Sequence, residues 1–440
     1  MLNKELFVLN PDDNNLINDG VAQINTSSVD PEGQKIIRHE IKTFVCEGEY
    51  ERGLLRILDT YLRNFDQPKQ PAVWVSGFFG SGKSHLVKML SYFWENFKFS
   101  DGVTARQLKT LPQELNEQFF ELSRKQDLVG SVVVRGLLSE YPSKDVRYSF
   151  LQLMLSNLGL PSKLHQFRFY YWCKTEGILD GLIEKLENAG KSLKEELNNL
   201  YVSKYIPGAI MELLPGHAES EAQIRDQIGR NFPRVDSISK EDFLYTIKSQ
   251  ILPLVSGKMP CILVTLDEVQ QFIGSDENKA SHVQFLAEDL CENFNGRLLL
   301  VATGQNSLSE TPILQKLTDR YTVKVPLSDK DVETVTWKTV LEKKPSAFSP
   351  VDQKLNSSLG EIASLLEGSD FGFTQEDKQT LVADYPILPS TRKFWKRVIQ
   401  AIDVAGTSGQ LRSQLRIVDE SIKSVSQKRL GEIIPGRLYI

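Results

Sequence analysis

Residues 73–90 read VWVSGFFGSGKSHLVKML and decide the fold. The stretch starts as a short β-favouring apolar run, passes through a glycine-rich turn and ends in an amphipathic helical pattern. The turn matches the pattern GxxxxGKS/T. Its glycines let backbone N–H groups converge on phosphate oxygens, and the start of the helix adds a favourable dipole. The sequence therefore predicts a strand, a phosphate-binding loop and a helix in succession.

The residues of this loop carry separate expectations. We expect Lys83 to reach the β- and γ-phosphates of a nucleotide, and Ser84 to give its hydroxyl to Mg²⁺. ATP is favoured over GTP because the chain contains no NKxD-type guanine motif. The other predicted nucleotide-binding residues surround the phosphates and are Gly77, Phe78, Phe79, Gly80, Ser81, Gly82 and His85.

A second apolar run, residues 261–266, is followed directly by two acidic residues, Asp267 and Glu268. Such a run is typical of a buried strand that carries both carboxylates to its carboxyl end. On their own, two acids in this position are most often solvated. Together with the glycine-rich loop, they predict that Asp267 helps to hold Mg²⁺ and that Glu268 polarises an attacking water.

Polar residues follow a third apolar run, residues 297–302. Thr303 and Gln305 stand at its carboxyl end, and we expect them beside the catalytic water, in a sensor-like position. The alternative is an ordinary polar loop after a strand.

Two arginines are candidates for contact with the γ-phosphate. Arg320 precedes a fourth short apolar run, residues 324–327, and an arginine there can reach the nucleotide of a neighbouring subunit. Arg412 opens a C-terminal helical pattern and can contact the nucleotide of its own chain, with Arg392 as a rival. For Arg320 the alternative is a surface salt bridge.

Strand patterns separated by helical patterns predict an α/β fold, a P-loop parallel sheet flanked by helices and followed by an all-helical lid domain. The long interval between Lys83 and Asp267 predicts a helical insertion with one β-favouring run, residues 131–135. The predicted divisions are an N-terminal arm with a first helical segment (1–66), a nucleotide-binding domain (67–327) with its insertion at about 100–250, and the lid domain (328–440).

A serine or threonine three positions before an aspartate predicts the start of a helix, and the chain has three residues of this kind that precede helical patterns. They are Ser239, Ser328 and Thr374. We expect each to cap the first turn of the helix that follows it.

The composition excludes several classes of protein. Of the 440 residues, 40% are hydrophobic and 25% are charged, which argues against a mainly disordered chain. The net charge of −5 excludes a polycationic DNA coat. The four cysteines form no CxxC pair, so a disulfide framework and a cysteine zinc site are not expected. The chain shows neither a signal-peptide pattern nor a membrane-spanning apolar run, so we expect a cytoplasmic protein without a membrane partner.

Several motifs together resemble those of AAA+ ATPases, in the initiator-type branch. The order is a glycine-rich loop, an Asp-Glu strand end, a sensor-like strand end, an arginine and a helix opened by Gly-x-x-Arg. The amino-acid sequences of five stretches resemble those of the BrxC family of P-loop proteins from BREX phage-defence systems. This resemblance covers most of residues 37–100 and 260–440. The stretches are VWVSGFFGSGKSHLVKMLSYF, LDEVQQFIG, VATGQNSL, KLTDRYTVKVPLS and YPILPSTRKFWKRVIQAIDVAGTSGQLRSQL.

The resemblance implies a Mg²⁺-dependent AAA+ ATPase of an antiviral defence system. ATP binding and hydrolysis would switch or assemble a multi-protein complex that acts on DNA. Arg320 from a neighbouring subunit would in addition make hydrolysis depend on assembly into a homo-oligomer. Its partners would include the other BREX components, among them a DNA methyltransferase and a phosphatase-like protein. Members of the family are longer than this chain, so the resemblance also implies the N-terminal part of a larger protein.

Two other functions stay open at this point. One is a nucleotide-gated scaffold that binds ATP and hydrolyses it negligibly. The other is a DNA-loading module, because residues 391–440 hold ten Lys and Arg residues but four acids. Such a basic surface can face phosphates, with a strong dependence on salt.

Overall fold

The computed structural model describes residues 1–12, 30–78, 80–305, 307–366, 368–369, 371–372, 374–402 and 410–434. Within these residues, five strands form one sheet, and every neighbouring pair is parallel. The strands are β1 (Val73–Ser76), β2 (Ser131–Gly136), β3 (Cys261–Leu266), β4 (Leu298–Gly304) and β5 (Val323–Pro326). Their order across the sheet is β2-β3-β4-β1-β5. The carboxyl ends of all five strands therefore meet at one edge.

Both faces of the sheet are buried. In β3, for example, Ile262 and Val264 belong to the core on one face, whereas Leu263 belongs to the core on the other. Because both faces are covered, the strands are nearly continuous apolar runs, as in other parallel sheets. The predicted parallel sheet flanked by helices is confirmed. The strand β3 has the predicted bounds, and each end of the other strands lies within two residues of its predicted position.

The first five helices cover one face of the sheet. They are α1 (Pro31–Thr43), α2 (Glu49–Asn64), α3 (Lys83–Glu95), α4 (Ala105–Leu108) and α5 (Gln113–Val129). Each places apolar residues in the same buried cluster as Val73 and Val75 of β1. The predicted first helical segment consists of two helices, because Gly48, at a φ of 63°, turns the chain between α1 and α2.

Eight helices lie between β2 and β3. They are α6 (Val146–Asn157), α7 (Leu164–Thr175), α8 (Leu179–Asn188), α9 (Leu193–Asn198), α10 (Ile206–Leu213), α11 (Glu221–Asn231), α12 (Lys240–Tyr245) and α13 (Leu252–Val255), with a π-helical turn, Thr246–Ile251, joining the last two. The helices α6, α12 and α13 pack on the second face of the sheet, whereas α8 to α11 form a separate apolar cluster. The helix α7 contributes to both, since Phe167 lies in the first cluster and Phe169 in the second.

The remaining helices follow β3. Three of them, α14 (Val269–Ile273), α15 (Glu277–Glu292) and α16 (Pro312–Gln315), complete the second face. The others lie beyond the sheet and are α17 (Asp329–Thr339), α18 (Phe348–Leu366), α19 (Gln375–Asp384), α20 (Pro389–Ile402) and α21 (Gln410–Val425). These C-terminal helices share an apolar cluster with Leu6 and Phe7.

Residues 2–8 lie against the C-terminal part of the chain. The backbone N–H of Asn3 donates to Lys428 O at 2.8 Å, and that of Val8 donates to Glu342 O at 2.8 Å. The two ends of the described chain are therefore packed together.

The three predicted helix starts are confirmed. Ser239, Ser328 and Thr374 are the N-caps of α12, α17 and α19. Among the described helices, none combines the length and the apolar character needed to cross a membrane.

Candidate functional site

The glycine-rich loop joins the carboxyl end of β1 to the start of α3. Gly80 and Gly82 have φ values of 82° and 85°, in the left-handed region that favours glycine. A Cβ atom at Gly82 would lie 2.5 Å from the hydroxyl of Tyr50, so a larger residue does not fit there without a shift. Conformation and space therefore both require glycine at the start of α3.

Lys83 folds back over this loop. Its Nζ donates to Gly77 O at 2.8 Å and to Phe78 O at 2.9 Å. Burial lowers the pKa of Lys83 to about 8, although the nearby carboxylates of Asp267 and Glu268 act in the opposite direction. The ammonium group therefore lies among loop carbonyls, close to the predicted Mg²⁺ ligand Asp267 and the predicted catalytic Glu268.

The other loop residues differ in their surroundings. Ser81 is fully buried, and its hydroxyl has no hydrogen-bond partner within the described residues. Ser84 is partly buried in the first turn of α3. The His85 ring lies 5.5 Å from the Phe44 ring, and burial lowers the pKa of His85 to about 3. His85 is therefore a neutral packing residue. Phe79, also predicted to bind the nucleotide, lies outside the described residues.

The two predicted acids follow β3 at the same edge of the sheet. Asp267 is buried, and its Oδ1 accepts hydrogen bonds from Thr303 Oγ1 at 2.5 Å and from Glu268 N at 3.1 Å. Thr303 Oγ1 in turn accepts from Glu268 N at 2.9 Å. Because Thr303 stands opposite Val75 of β1 in the sheet, it lies between the loop strand and the acidic strand. Its hydroxyl therefore holds the Asp267 carboxylate and the Glu268 backbone N–H.

Glu268 has an unusual backbone. Its φ of 53° and ψ of 34° are in the left-handed region, where a residue with a side chain is uncommon. This conformation turns the chain sharply between β3 and α14. A strained residue of this kind costs on the order of 1–3 kcal/mol, and such residues cluster at functional sites.

Gln305 and Arg320 lie apart from this network. Gln305 is exposed, directly after β4. Arg320 is at the opposite edge of the sheet, where its carbonyl accepts from Ala72 N at 3.1 Å. Its guanidinium pairs with Glu288 at 2.9 Å and with Glu292 at 3.5 Å. A four-residue strand, about 13 Å long, separates it from the loop of its own chain.

The two arginines that are candidates for contact with the nucleotide of their own chain are in the C-terminal helices. Arg412 lies in the first turn of α21, and its side chain is outside the described residues. Arg392 pairs with Asp384 and lies over the Trp337 ring, with its Cζ 5.7 Å from the ring centroid. The structure therefore places Arg392 in a contact within the C-terminal helices.

Two residues of the site were not predicted from the sequence. Tyr50 donates from its hydroxyl to Ser81 O at 2.7 Å, directly under the loop. Asp331 accepts from Glu49 N at 2.9 Å, next to Tyr50. In the sequence, Tyr50 has the spacing of a core residue and Asp331 that of a helix cap, so neither carries a signal for the loop.

The structure brings the glycine-rich loop, Lys83, Asp267, Glu268 and Thr303 to the carboxyl edge of the sheet. This is the edge at which open α/β sheets bind their ligands. A scan of the sequence against models of known protein families found no match.

Proposed function

We propose that the chain is a Mg²⁺-dependent ATPase with a P-loop and an AAA+ architecture. The observation that carries the proposal is the placement of the glycine-rich loop, which follows β1, beside the Asp267–Thr303–Glu268 network at the carboxyl ends of β3 and β4. A loop of this kind provides converging N–H groups and a helix dipole for phosphates. The acids provide what a phosphoryl transfer to water requires beside it.

Phosphate binding follows from the loop and Lys83. The ammonium group now donates to two loop carbonyls, and it would exchange them for β- and γ-phosphate oxygens of ATP. The neighbouring acids favour its charged form, which is the form that phosphates need. The loop and its lysine together account for nucleotide binding.

The donor set suits Mg²⁺, a hard cation that prefers oxygen ligands. Ser84 and Asp267 would hold it. Thr303 and the Glu268 backbone both bond Asp267 Oδ1, and no described residue donates a hydrogen bond to Oδ2. When bound, Mg²⁺ offsets negative charge on the phosphates.

Glu268 is the proposed general base. Its carboxylate would accept a proton from the attacking water, and the Thr303 hydroxyl fixes its backbone N–H. Gln305, one residue beyond β4, would face the same water from the loop. The residues that hold the base are thus in place before a nucleotide binds.

We extend the proposal to assembly and to the C-terminal helices. Arg320 cannot reach the loop of its own chain, which suits contact with the γ-phosphate of a neighbouring copy in a homo-oligomer. The helices α17 to α21 would act as a lid, with Arg412 or Arg392 contacting the nucleotide. The resemblance to the BrxC family supports a cytoplasmic BREX defence complex, with a methyltransferase and a phosphatase-like protein as partners.

A nucleotide-gated scaffold is the second candidate. Arg320 is held by Glu288 and Glu292 of its own chain, and both pairs must open before it serves a neighbour. An isolated chain would then bind ATP without appreciable turnover.

The structure gives less support to direct DNA binding. In the basic region 391–440, Arg392, Lys393 and Lys423 are ion-paired within the chain. Two of their partners, Asp384 and Asp377, precede the region. These pairs lower the positive charge available to a phosphate backbone.

The test is ATP hydrolysis across a series of protein concentrations. Lys83→Ala and Glu268→Gln should each lower turnover at least about 100-fold, and only Lys83→Ala should abolish nucleotide binding. Lys98→Ala, at an exposed lysine beyond α3, is the control and should change neither. Wild-type turnover should rise with concentration. Binding without turnover at any concentration would favour the scaffold, and absence of binding would refute both.

A further inference from the structure

Tyr50 supports the glycine-rich loop from the first turn of α2. Its side chain is 2% exposed, and its hydroxyl donates to Ser81 O at 2.7 Å. The next residue, Gly82, is the N-cap of α3 and packs against the same hydroxyl. Burial, and then the charge of Asp331, raise the pKa of Tyr50, so the hydroxyl remains a donor at neutral pH. The position of Tyr50 therefore sets the end of the loop at which α3 begins.

Asp331 joins the starts of two helices. Its Oδ1 accepts from Glu49 N at 2.9 Å, at the start of α2. Its Oδ2 accepts from Ser328 N at 2.9 Å and from Ser328 Oγ at 2.7 Å, at the start of α17. A Cβ atom at Gly48 would lie 2.7 Å from Oδ1, so the chain approaches the carboxylate closely there. One buried carboxylate thus connects α17 to the helix that carries Tyr50.

The connection between β5 and α17 also touches the start of the loop. Leu327 N donates to Ser76 O at 2.8 Å. Leu327 O is 3.0 Å from the place a Cβ atom at Gly77 would take. Residues 327–331 therefore hold the loop at its start directly, and at its end through α2.

We propose that Asp331 and Tyr50 are positioning residues that couple the glycine-rich loop to the C-terminal helices. A shift of α17 moves the carboxylate that caps α2, which moves the Tyr50 hydroxyl under Ser81. A ligand that prefers one loop conformation then prefers one position of α17, and the reverse holds by linkage. This inference rests on the proposed function, because it takes the ligand of the loop to be a nucleotide.

The experiment uses Tyr50→Phe, Asp331→Asn and the double variant. Two quantities are measured in the full chain: the dissociation constant of a fluorescent ATP analogue, and amide hydrogen exchange across residues 77–84 without nucleotide. Two matched controls remove the same groups elsewhere. Tyr61→Phe removes a buried hydroxyl of α2 that donates to Arg297 O, and Asp377→Asn changes the same capping position in α19.

Each single variant should weaken analogue binding about fivefold, the effect of one lost hydrogen bond. The double variant should bind about as weakly as the weaker single, because both act through one route. Asp331→Asn should also speed exchange in the loop. The controls should leave affinity and loop exchange within about twofold of wild type.

Two results would overturn the proposed coupling of α17 to the loop through Asp331 and Tyr50 (the relay). One is loop exchange that Asp331→Asn leaves unchanged, and the other is a pair of effects on affinity that multiply. If Asp331→Asn does not fold, Tyr50→Phe, which removes one oxygen atom, must still speed loop exchange, or the relay is wrong. A wild-type chain that binds no analogue would refute the proposed function instead, while the exchange data still decide the relay.

Discussion

The two edges of the sheet hold their charged groups in different ways. At the amino edge, where α15 ends, acids of that helix meet cations from other elements. The pairs are Arg320–Glu288, Arg320–Glu292, Lys69–Glu292, Arg147–Asp289 and Lys240–Asp289. At the carboxyl edge, Lys83 donates to backbone carbonyls, and Asp267 is held by a hydroxyl and a backbone N–H.

This difference separates groups that stabilise the fold from groups that are available to a ligand. An ion pair satisfies both partners, so neither gains much from a third charged group. A lysine on neutral carbonyls and a carboxylate on neutral donors keep their net charges, and each can gain from a phosphate or a cation. We therefore expect the charged groups of the amino edge to contribute to stability and those of the carboxyl edge to be available for binding.

The largest expected effect is on stability at the amino edge. Asp289 is 1% exposed and pairs with Arg147 at 2.6 Å and Lys240 at 2.9 Å. Asp289→Asn should lower the free energy of unfolding by about 3 kcal/mol, because the cations lose a buried partner charge. Urea unfolding measures this. Affinity for an ATP analogue should not change.

The control for this prediction lies on the same helix. Glu277 forms an exposed pair with Lys316 at 2.9 Å, so Glu277→Gln should change stability by less than about 1 kcal/mol. If Asp289→Asn instead weakened nucleotide binding and left stability intact, the division of roles between the edges would be wrong.

A smaller effect is expected at the carboxyl edge. Thr303→Val keeps the shape of the side chain but removes the hydroxyl that holds Asp267 and Glu268. ATP turnover should fall about 30-fold, equivalent to about 2 kcal/mol, while analogue affinity stays within about threefold. Thr265→Val, at a buried hydroxyl of β3, is the control and should keep full turnover. Unchanged turnover in Thr303→Val would contradict the positioning role.

The smallest expected effect concerns pH. Burial lowers the pKa of Lys83 to about 8, so the free protein loses this charge as pH rises through that value. Phosphates bind the charged form, and analogue affinity should therefore fall about tenfold between pH 7 and pH 9. Titrations at fixed ionic strength measure it. Lys83→Arg, whose guanidinium stays charged, should bind with little pH dependence. A flat wild-type profile would show that Lys83 does not titrate there.

The same titration should act on stability in the opposite direction. The folded state holds the proton on Lys83 less tightly than the unfolded state. Between the folded pKa of about 8 and the ordinary value of 10.5, the unfolded chain therefore binds more protons. In that interval the contribution of Lys83 makes the free energy of unfolding rise with pH.

Local signals allowed much of the sheet and its edge to be predicted. The run 261–266 is mostly apolar and is followed directly by two acids, so the bounds of β3 and the position of Asp267 at its carboxyl end could be predicted from the sequence. Ser328 was predicted as a cap because its partner Asp331 is three residues away. In both cases the residues that decide the structure are neighbours in the chain.

The missed parts of the site depend on contacts between distant residues. The hydrogen bond from Glu49 to Asp331 joins positions 282 apart, and that from Tyr50 to Ser81 joins positions 31 apart. Nothing in the local pattern distinguishes Asp331 in α17 from Asp377 in α19, although only Asp331 also caps α2. The hydrogen bonds of Thr303 to both acids likewise depend on β4 lying next to β3, an order of strands that the sequence does not state.

The packing of residues 2–8 on the C-terminal part has a consequence for synthesis on the ribosome. Lys4 N donates to Ser426 O, and Asn3 N donates to Lys428 O. At about 5–20 residues per second, these partners emerge roughly 20 to 85 seconds after residues 2–8 do. Until then Phe7, which is 1% exposed in the finished fold, lacks the part of its apolar cluster that α21 supplies. The docking of residues 2–8 on their C-terminal partners must therefore wait until residues 426–428 have been made, and until then the nascent chain leaves Leu6 and Phe7 without that part of their core.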